Sequence, residues 1–208
     1  MERVLPVIRG LKAASPDVTI SIDTYKADVA AAALDAGASW INDISGLTAD
    51  PAMAWLAAQR QAPVVVMHLL GEPRNIPLRP RYGDVVREIA EWLSIRAGQL
   101  IERGIRPENI LLDPGIGFGK TTAHNLEILR RLPELKALSY PLVLGTSRKR
   151  FIGKILGIDD PLDRLEGTAA TIALSIAGGA DIVRVHDVRE MARVARMADA
   201  VVRGWEEK

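Results

Sequence analysis

The sequence predicts an α/β fold built on a parallel sheet, and two observations carry that expectation. Six short runs are mostly β-branched or aliphatic, as strands covered on both faces should be. Segments of helical periodicity separate them, so strand and helix alternate strictly, which implies right-handed βαβ units. No low-complexity linker breaks the pattern, and 208 residues suffice for a sizeable core, so one domain over 1–208 is expected.

The chain opens on MERVLPVIRGLKAAS, where Val4, Leu5, Ile8 and Leu11 share one helical face. Arg9 and Lys12 interrupt that run, which marks an amphipathic helix rather than a secretory signal. Strands are predicted at 18–23, 39–44, 63–68, 110–113, 141–145 and 181–186. Helices are predicted at 26–36, 51–61, 82–103, 122–132, 164–177 and 188–205. Gly37, Gly104 and Gly178 follow helices where a left-handed cap is expected. The one long loop, 69–81, holds three of the twelve prolines and is placed over the rim of the sheet. A doubly wound sheet and a TIM-type (β/α)8 barrel both fit. A barrel usually needs about 250 residues and eight strands. Six strands, with a helix before the first, favour a barrel that is incomplete, its front two strand–helix units missing.

Composition narrows the partners. A net charge of +1 gives no reason to expect nucleic acid or a membrane surface. The absence of cysteine excludes disulfides, thiolate metal sites and cysteine nucleophiles, and fits a reducing, cytoplasmic setting. The longest uncharged stretch, 167–180, is too short to span a bilayer.

The chemistry concentrates where strands end. Asp23 closes S-I-D-T, Asn42 and Asp43 lie in W-I-N-D-I, and His68 ends V-V-V-M-H. Asp113 opens D-P-G-I-G-F-G-K, Ser147 and Lys149 follow L-V-L-G-T, and Arg184 and His186 sit in I-V-R-V-H-D. A lone aspartate after a strand is commonly a helix cap or turn former, a role that suits Asp43, Asp50 and Asp187. Capping does not explain an amide or a guanidinium inside an apolar strand, since each is costly there without a partner.

The set divides in two. Asp23, Asn42 and Asp113 suit a flat heterocycle with an amino group and ring N–H donors, because a carboxylate accepts two parallel hydrogen bonds from such an edge. Lys149, Arg184 and His186 suit a carbonyl oxygen and an anion such as phosphate. The stretch P-G-I-G-F-G-K-T ends like a phosphate loop, but Pro114 stands where the first glycine belongs, and Asp113 would repel phosphate. Its glycines instead let the backbone turn closely around a ligand ring, with Phe118 as an apolar wall. His124 is expected on the exposed side of its helix without a special role. His68 is read as structural, and the basic run of Arg148, Arg150 and Lys154 as a solvated face.

Taken together, S-I-D-T, I-N-D-I, M-H, L-L-D-P-G-I-G-F-G-K, G-T-S-R-K and R-V-H-D resemble, in order and spacing, the dihydropteroate synthases of the pterin-binding family. The resemblance implies a barrel of which strands 3–8 are present and the first two strand–helix units lie outside this sequence. It implies an enzyme that condenses 6-hydroxymethyl-7,8-dihydropterin pyrophosphate with p-aminobenzoate. By the same resemblance Asp23, Asn42, Asp113 and Lys149 hold the pterin ring. Arg184 flanks it and reaches the phosphate site with His186, and Ser147 and Lys149 border the p-aminobenzoate site. It further implies Mg²⁺, with its protein ligand in the absent front part and no metal ligand here, and a homodimer through late barrel helices. A pterin-binding module without turnover and an unrelated α/β barrel enzyme of the phosphosugar kind stay open on the residues alone.

Overall fold

A computed structural model describes residues 1–71, 75 and 80–205. Helix α1 (Leu5–Ala14) leads into β1 (Ser21–Asp23), α2 (Ala27–Asp35), β2 (Trp40–Asp43), α3 (Pro51–Arg60), β3 (Val64–Met67) and α4 (Val85–Glu102). Then come β4 (Ile110–Asp113), α5 (Thr122–Arg130), α6 (Leu132–Lys136), β5 (Val143–Leu144), α7 (Arg150–Leu156), α8 (Leu165–Ala177), β6 (Ile182–Val183) and α9 (Val188–Arg203). All six strands fall inside the predicted runs. Most of the loop expected over the rim, at 72–74 and 76–79, lies outside the described residues.

The strands pair in parallel and in sequence order, β1-β2-β3-β4 and β5-β6. A single parallel bridge between Leu112 and Leu142 joins the two groups. Sequential parallel order is the arrangement of a barrel wall. Among the described residues β1 and β6 do not pair, so the wall is an arc rather than a closed ring.

Alternation along each strand sorts side chains to the two faces of this arc. Ile22, Ile41, Val64, Val66, Ile110, Leu112, Leu142 and Leu144 point outward into the main core under the helices. Val65, Leu111 and Val143 point inward and form a small apolar floor, against which Trp40 and Ile182 pack. Two residues further along the inward rows come Asn42, Met67, Asp113, Gly145 and Arg184. Polar groups on the inner face at the carboxyl ends of the strands are thus dictated by register, since Asp23 pairs with Asn42 and Met67 with Asp113.

Several local expectations are corrected. Gly178 is right-handed helical, and the left-handed step falls on Gly179 with φ +100°. A Cβ on Gly178 would sit 3.0 Å from the Leu132 side chain, so close approach to α6 is its own constraint. The predicted helix at 122–132 ends at Arg130, and a separate short helix, α6, follows it, with Pro133 in its first turn. Arg150 and Lys154 are exposed as expected, but they lie on a further helix, α7, which buries Phe151 and Ile152. Only Ile8 of the expected apolar face of α1 is buried, and Leu11 is exposed.

Candidate active site

Strand β4 delivers Asp113 to the mouth of the arc, where its carboxyl is buried. Its Oδ1 accepts the Gly115 N–H at 2.7 Å, the tight turn that a carboxylate next to proline and glycine favours. Gly115 has φ +70°, and a Cβ on it would lie 2.0 Å from the His68 carbonyl oxygen, so only glycine fits. Beyond it, the Gly117 N–H donates to Asn125 Oδ1 at 2.8 Å, and Asn125 Nδ2 donates to the Thr121 carbonyl at 2.9 Å. Asn125 is buried on α5, so its amide fixes the turn from below. Asn125→Leu is expected to destabilise the chain by about 1–3 kcal/mol, as a buried N–H loses its acceptor, and thermal unfolding reads this.

The loop after β5 supplies the cationic side. Lys149 places its Nζ 4.1 Å from the Phe118 ring centroid, a cation–π contact that also fixes the ring as a wall. Between Ser147 and Lys149, Arg148 is held in the left-handed region at φ +58°. Three anchors stabilise that conformation. Its N–H donates to Thr168 Oγ1 at 3.1 Å, and its carbonyl accepts from Arg164 Nη1 at 2.9 Å. Its guanidinium forms a fork with Asp187, with Nε 3.0 Å from Oδ2. Next to this pair Ser147 Oγ lies 3.0 Å from His186 Nδ1 and accepts the His186 N–H at 3.2 Å. The β5 and β6 loops are therefore tied by two adjacent pairs, Ser147 with His186 and Arg148 with Asp187.

Across the mouth, Arg184 Nη2 meets Asp23 Oδ2 at 2.8 Å. Both side chains are about half exposed, and exposed ion pairs contribute only about 0–1 kcal/mol, so an incoming ligand exchanges this pair at little cost.

Burial sets the electrostatics. It raises Asp113 to about 6, against the opposing pull of the Gly115 N–H and of Lys149, Lys120 and Arg184. The same burial lowers Lys149, which Asp113 partly offsets. Lys120 is pulled down to about 7 and His68 to about 3, again chiefly by desolvation. The cleft thus sets the Asp113 carboxylate beside the Lys149 amine in a poorly solvated space, where hydrogen bonds to a ligand count for more than in water.

All eight candidate residues, Asp23, Asn42, Asp113, Phe118, Ser147, Lys149, Arg184 and His186, line one cleft of about 1280 Å³. Asp43 points the other way. Its Oδ1 accepts from Ser45 N and Oγ at 2.8 and 2.6 Å, the expected turn role, while Oδ2 is buried without a partner among the described residues. Burial raises its carboxyl above the ordinary range. Asp50 caps α3 as expected, through the Ala52 N–H. Asp187 makes no cap hydrogen bond, because its carboxylate is committed to Arg148. His124 has a definite role after all, completing a capping box with Thr121 and lying edge-on to Tyr82. The sequence reading missed Asn125, Arg164 and Lys120 as organisers of the site. For Asn125 the signal was present, an amide three residues before the buried Ile128 on the same helical face.

A family model described as pterin binding enzyme matches residues 1–186. The dihydropteroate synthase of Synechocystis is 49% identical over 203 residues, which is 98% of this chain and 70% of that enzyme. The structure of Xanthomonas albilineans dihydropteroate synthase in complex with 7,8-dihydropteroate superposes with a TM-score of 0.89 at 38% identity, covering 96% of this chain and 72% of that one. A structure of the same enzyme with 4-aminobenzoic acid superposes with a TM-score of 0.89 at 39% identity, covering 96% of this chain and 70% of that one.

Proposed function

The chain belongs to the pterin binding enzyme family, and from that premise we propose that its cleft serves dihydropteroate synthesis. In that reaction 6-hydroxymethyl-7,8-dihydropterin pyrophosphate and p-aminobenzoate give 7,8-dihydropteroate and pyrophosphate. One observation carries the reading: three groups suited to a pterin edge and three suited to an anion line the same cleft. Asp113, with Oδ1 engaged by Gly115, offers its other oxygen to the amino and N–H edge of the ring. Asn42 and Asp23 complete the polar side, and Phe118 under Lys149 forms the apolar wall. Lys149 donates to the ring carbonyl. Arg184 leaves Asp23 to flank the ring and, with His186, faces the pyrophosphate. Ser147, held by His186, borders the arylamine.

No nucleophile from the protein is needed. The bond from the methylene carbon to the pyrophosphate oxygen breaks, and the electron-rich dihydropterin stabilises the carbon. The arylamine nitrogen then bonds to that carbon and releases a proton. Positioning and electrostatic stabilisation of the departing anion by Arg184 and His186 supply the rate. The Mg²⁺ expected from the resemblance would assist that departure. Among the described residues no three acidic or histidine side chains converge on a metal position, and no step here runs through the ion. The homodimer stays a proposal that exposed Leu174 on α8 and Met197 and Val201 on α9 would suit, and sedimentation reads it. No helix among the described residues is long and apolar enough to cross a membrane.

The test is p-aminobenzoate-dependent release of pyrophosphate. Release is expected; a folded chain that binds neither pterin nor p-aminobenzoate would end the reading. The pH dependence has a definite sign. Because Asp113 titrates near 6 and the ligand donates to its ionised form, pterin affinity should fall about tenfold per unit as pH drops below about 6. Without ligand the linkage is opposite. The raised value makes this group's contribution to stability full below 3.8 and lost as pH rises through about 6. Isothermal titration and thermal unfolding across pH 4–8 read the two effects separately.

A further inference from the structure

Lys120 ends the stretch that resembles a phosphate loop, yet the reaction described above gives it no part. Its ammonium faces inward. Nζ lies 3.0 Å from the Phe118 carbonyl, 3.3 Å from the His68 carbonyl and 3.0 Å from His68 Nδ1. Three acceptors thus surround three N–H donors, which leaves none for a phosphate. A protonated Lys120 can meet His68 Nδ1 only if that nitrogen carries no proton, so the His68 hydrogen must sit on Nε2. His68 is itself fixed, edge-on against Trp92 with ring centroids 5.2 Å apart.

The turn that Lys120 reaches has little backbone pairing of its own. Within it only the Phe118 N–H donates back, to the Gly115 carbonyl at 3.1 Å. Side chains hold two further groups: Asn125 takes the Gly117 N–H, and Tyr82 donates its hydroxyl to the Gly119 carbonyl at 3.1 Å. Lys120 is the one of these groups that ties the turn to the end of β3.

We propose that Lys120 is a positioning residue, a clamp that locks the glycine turn onto His68 so that Phe118 and Asp113 keep their places in the cleft. This inference rests on the pterin reading for its consequence but not for its geometry. Lys120 also lines the cleft, but its three donors are taken within the protein, so its removal acts on the ligand chiefly through the turn. Loss of charge-assisted hydrogen bonds of this kind corresponds to about 10- to 100-fold in binding.

Lys120→Met keeps the length of the side chain and deletes its donors. In the full chain, the dissociation constant for 6-hydroxymethylpterin is expected to rise about 10- to 100-fold. Amide hydrogen exchange at Gly117, Phe118 and Gly119 should accelerate, while β2 and β3 stay unchanged. A merely structural lysine would accelerate exchange in the strands as well. A folded Lys120→Met protein with wild-type affinity and wild-type exchange in the turn would overturn the clamp. Should that variant not fold, ¹⁵N resonances of His68 in the unaltered protein at pH 6 decide the matter. A proton on Nε2 and none on Nδ1 supports the clamp, and a proton on Nδ1 refutes it. If the unaltered chain binds no pterin, the function reading fails, while exchange and the His68 tautomer still judge the clamp.

Discussion

Asp113→Asn should weaken pterin binding by roughly two to four orders of magnitude while leaving the fold in place. The amide keeps an oxygen for the Gly115 N–H, so the turn after β4 retains its first hydrogen bond. What it loses is the second anionic oxygen, and what replaces it is an NH₂ that confronts the donors of the ligand. Two charge-assisted hydrogen bonds at about 1.5–3 kcal/mol each set the scale of the loss. Removing the buried charge also relieves the desolvation that raises Asp113, so thermal stability should hold or increase slightly. Fluorescence titration with 6-hydroxymethylpterin beside a thermal melt separates the two. Equal loss of binding and of melting temperature would mark Asp113 as structural.

Gly115→Ala is the larger expected disruption. Its Cβ would stand 2.0 Å from a backbone oxygen, that of His68, which cannot swing aside as a side chain would. The residue must also keep φ +70°, which alone costs an alanine about 1–2 kcal/mol. Clash and strain together should exceed about 3 kcal/mol, with β3 and the turn forced apart and pterin binding lost. Gly117→Ala provides the contrast. There the Cβ would meet Lys149 Cδ at 3.1 Å, the middle of a flexible side chain. That variant should lose less stability than Gly115→Ala and still bind pterin weakly, because Lys149 is pushed off Phe118. Denaturant unfolding of both variants gives the ranking, and the reverse order would refute the assignment of His68 as the rigid neighbour.

The strands were legible because a parallel sheet covered on both faces leaves uninterrupted aliphatic runs. The polar intruders within those runs, Asn42 and Arg184, were legible for the same reason. Which of two neighbours faces the cleft was harder. Asn42 and Asp43 are adjacent, and only the register that pairs Asp23 with Asn42 turns one inward and the other toward Ser45. Contacts between distant segments left no trace in local pattern. Lys120 and His68 lie 52 positions apart, and Arg148 and Asp187 lie 39 apart. Asp187 therefore read as a cap when its charge belongs to Arg148. Helix α7 escaped notice because its seven residues are too few to show a period, and its basic side chains masked buried Phe151 and Ile152.

The central claim is that this cleft holds a pterin through Asp113, and calorimetric titration of the 208-residue chain with 6-hydroxymethyl-7,8-dihydropterin pyrophosphate tests it most directly. The expected result is saturable binding at one site per chain that weakens at least about 100-fold in Asp113→Asn and weakens as pH falls below about 6. A folded chain that takes up no pterin, or takes it up equally well after Asp113→Asn, would contradict it.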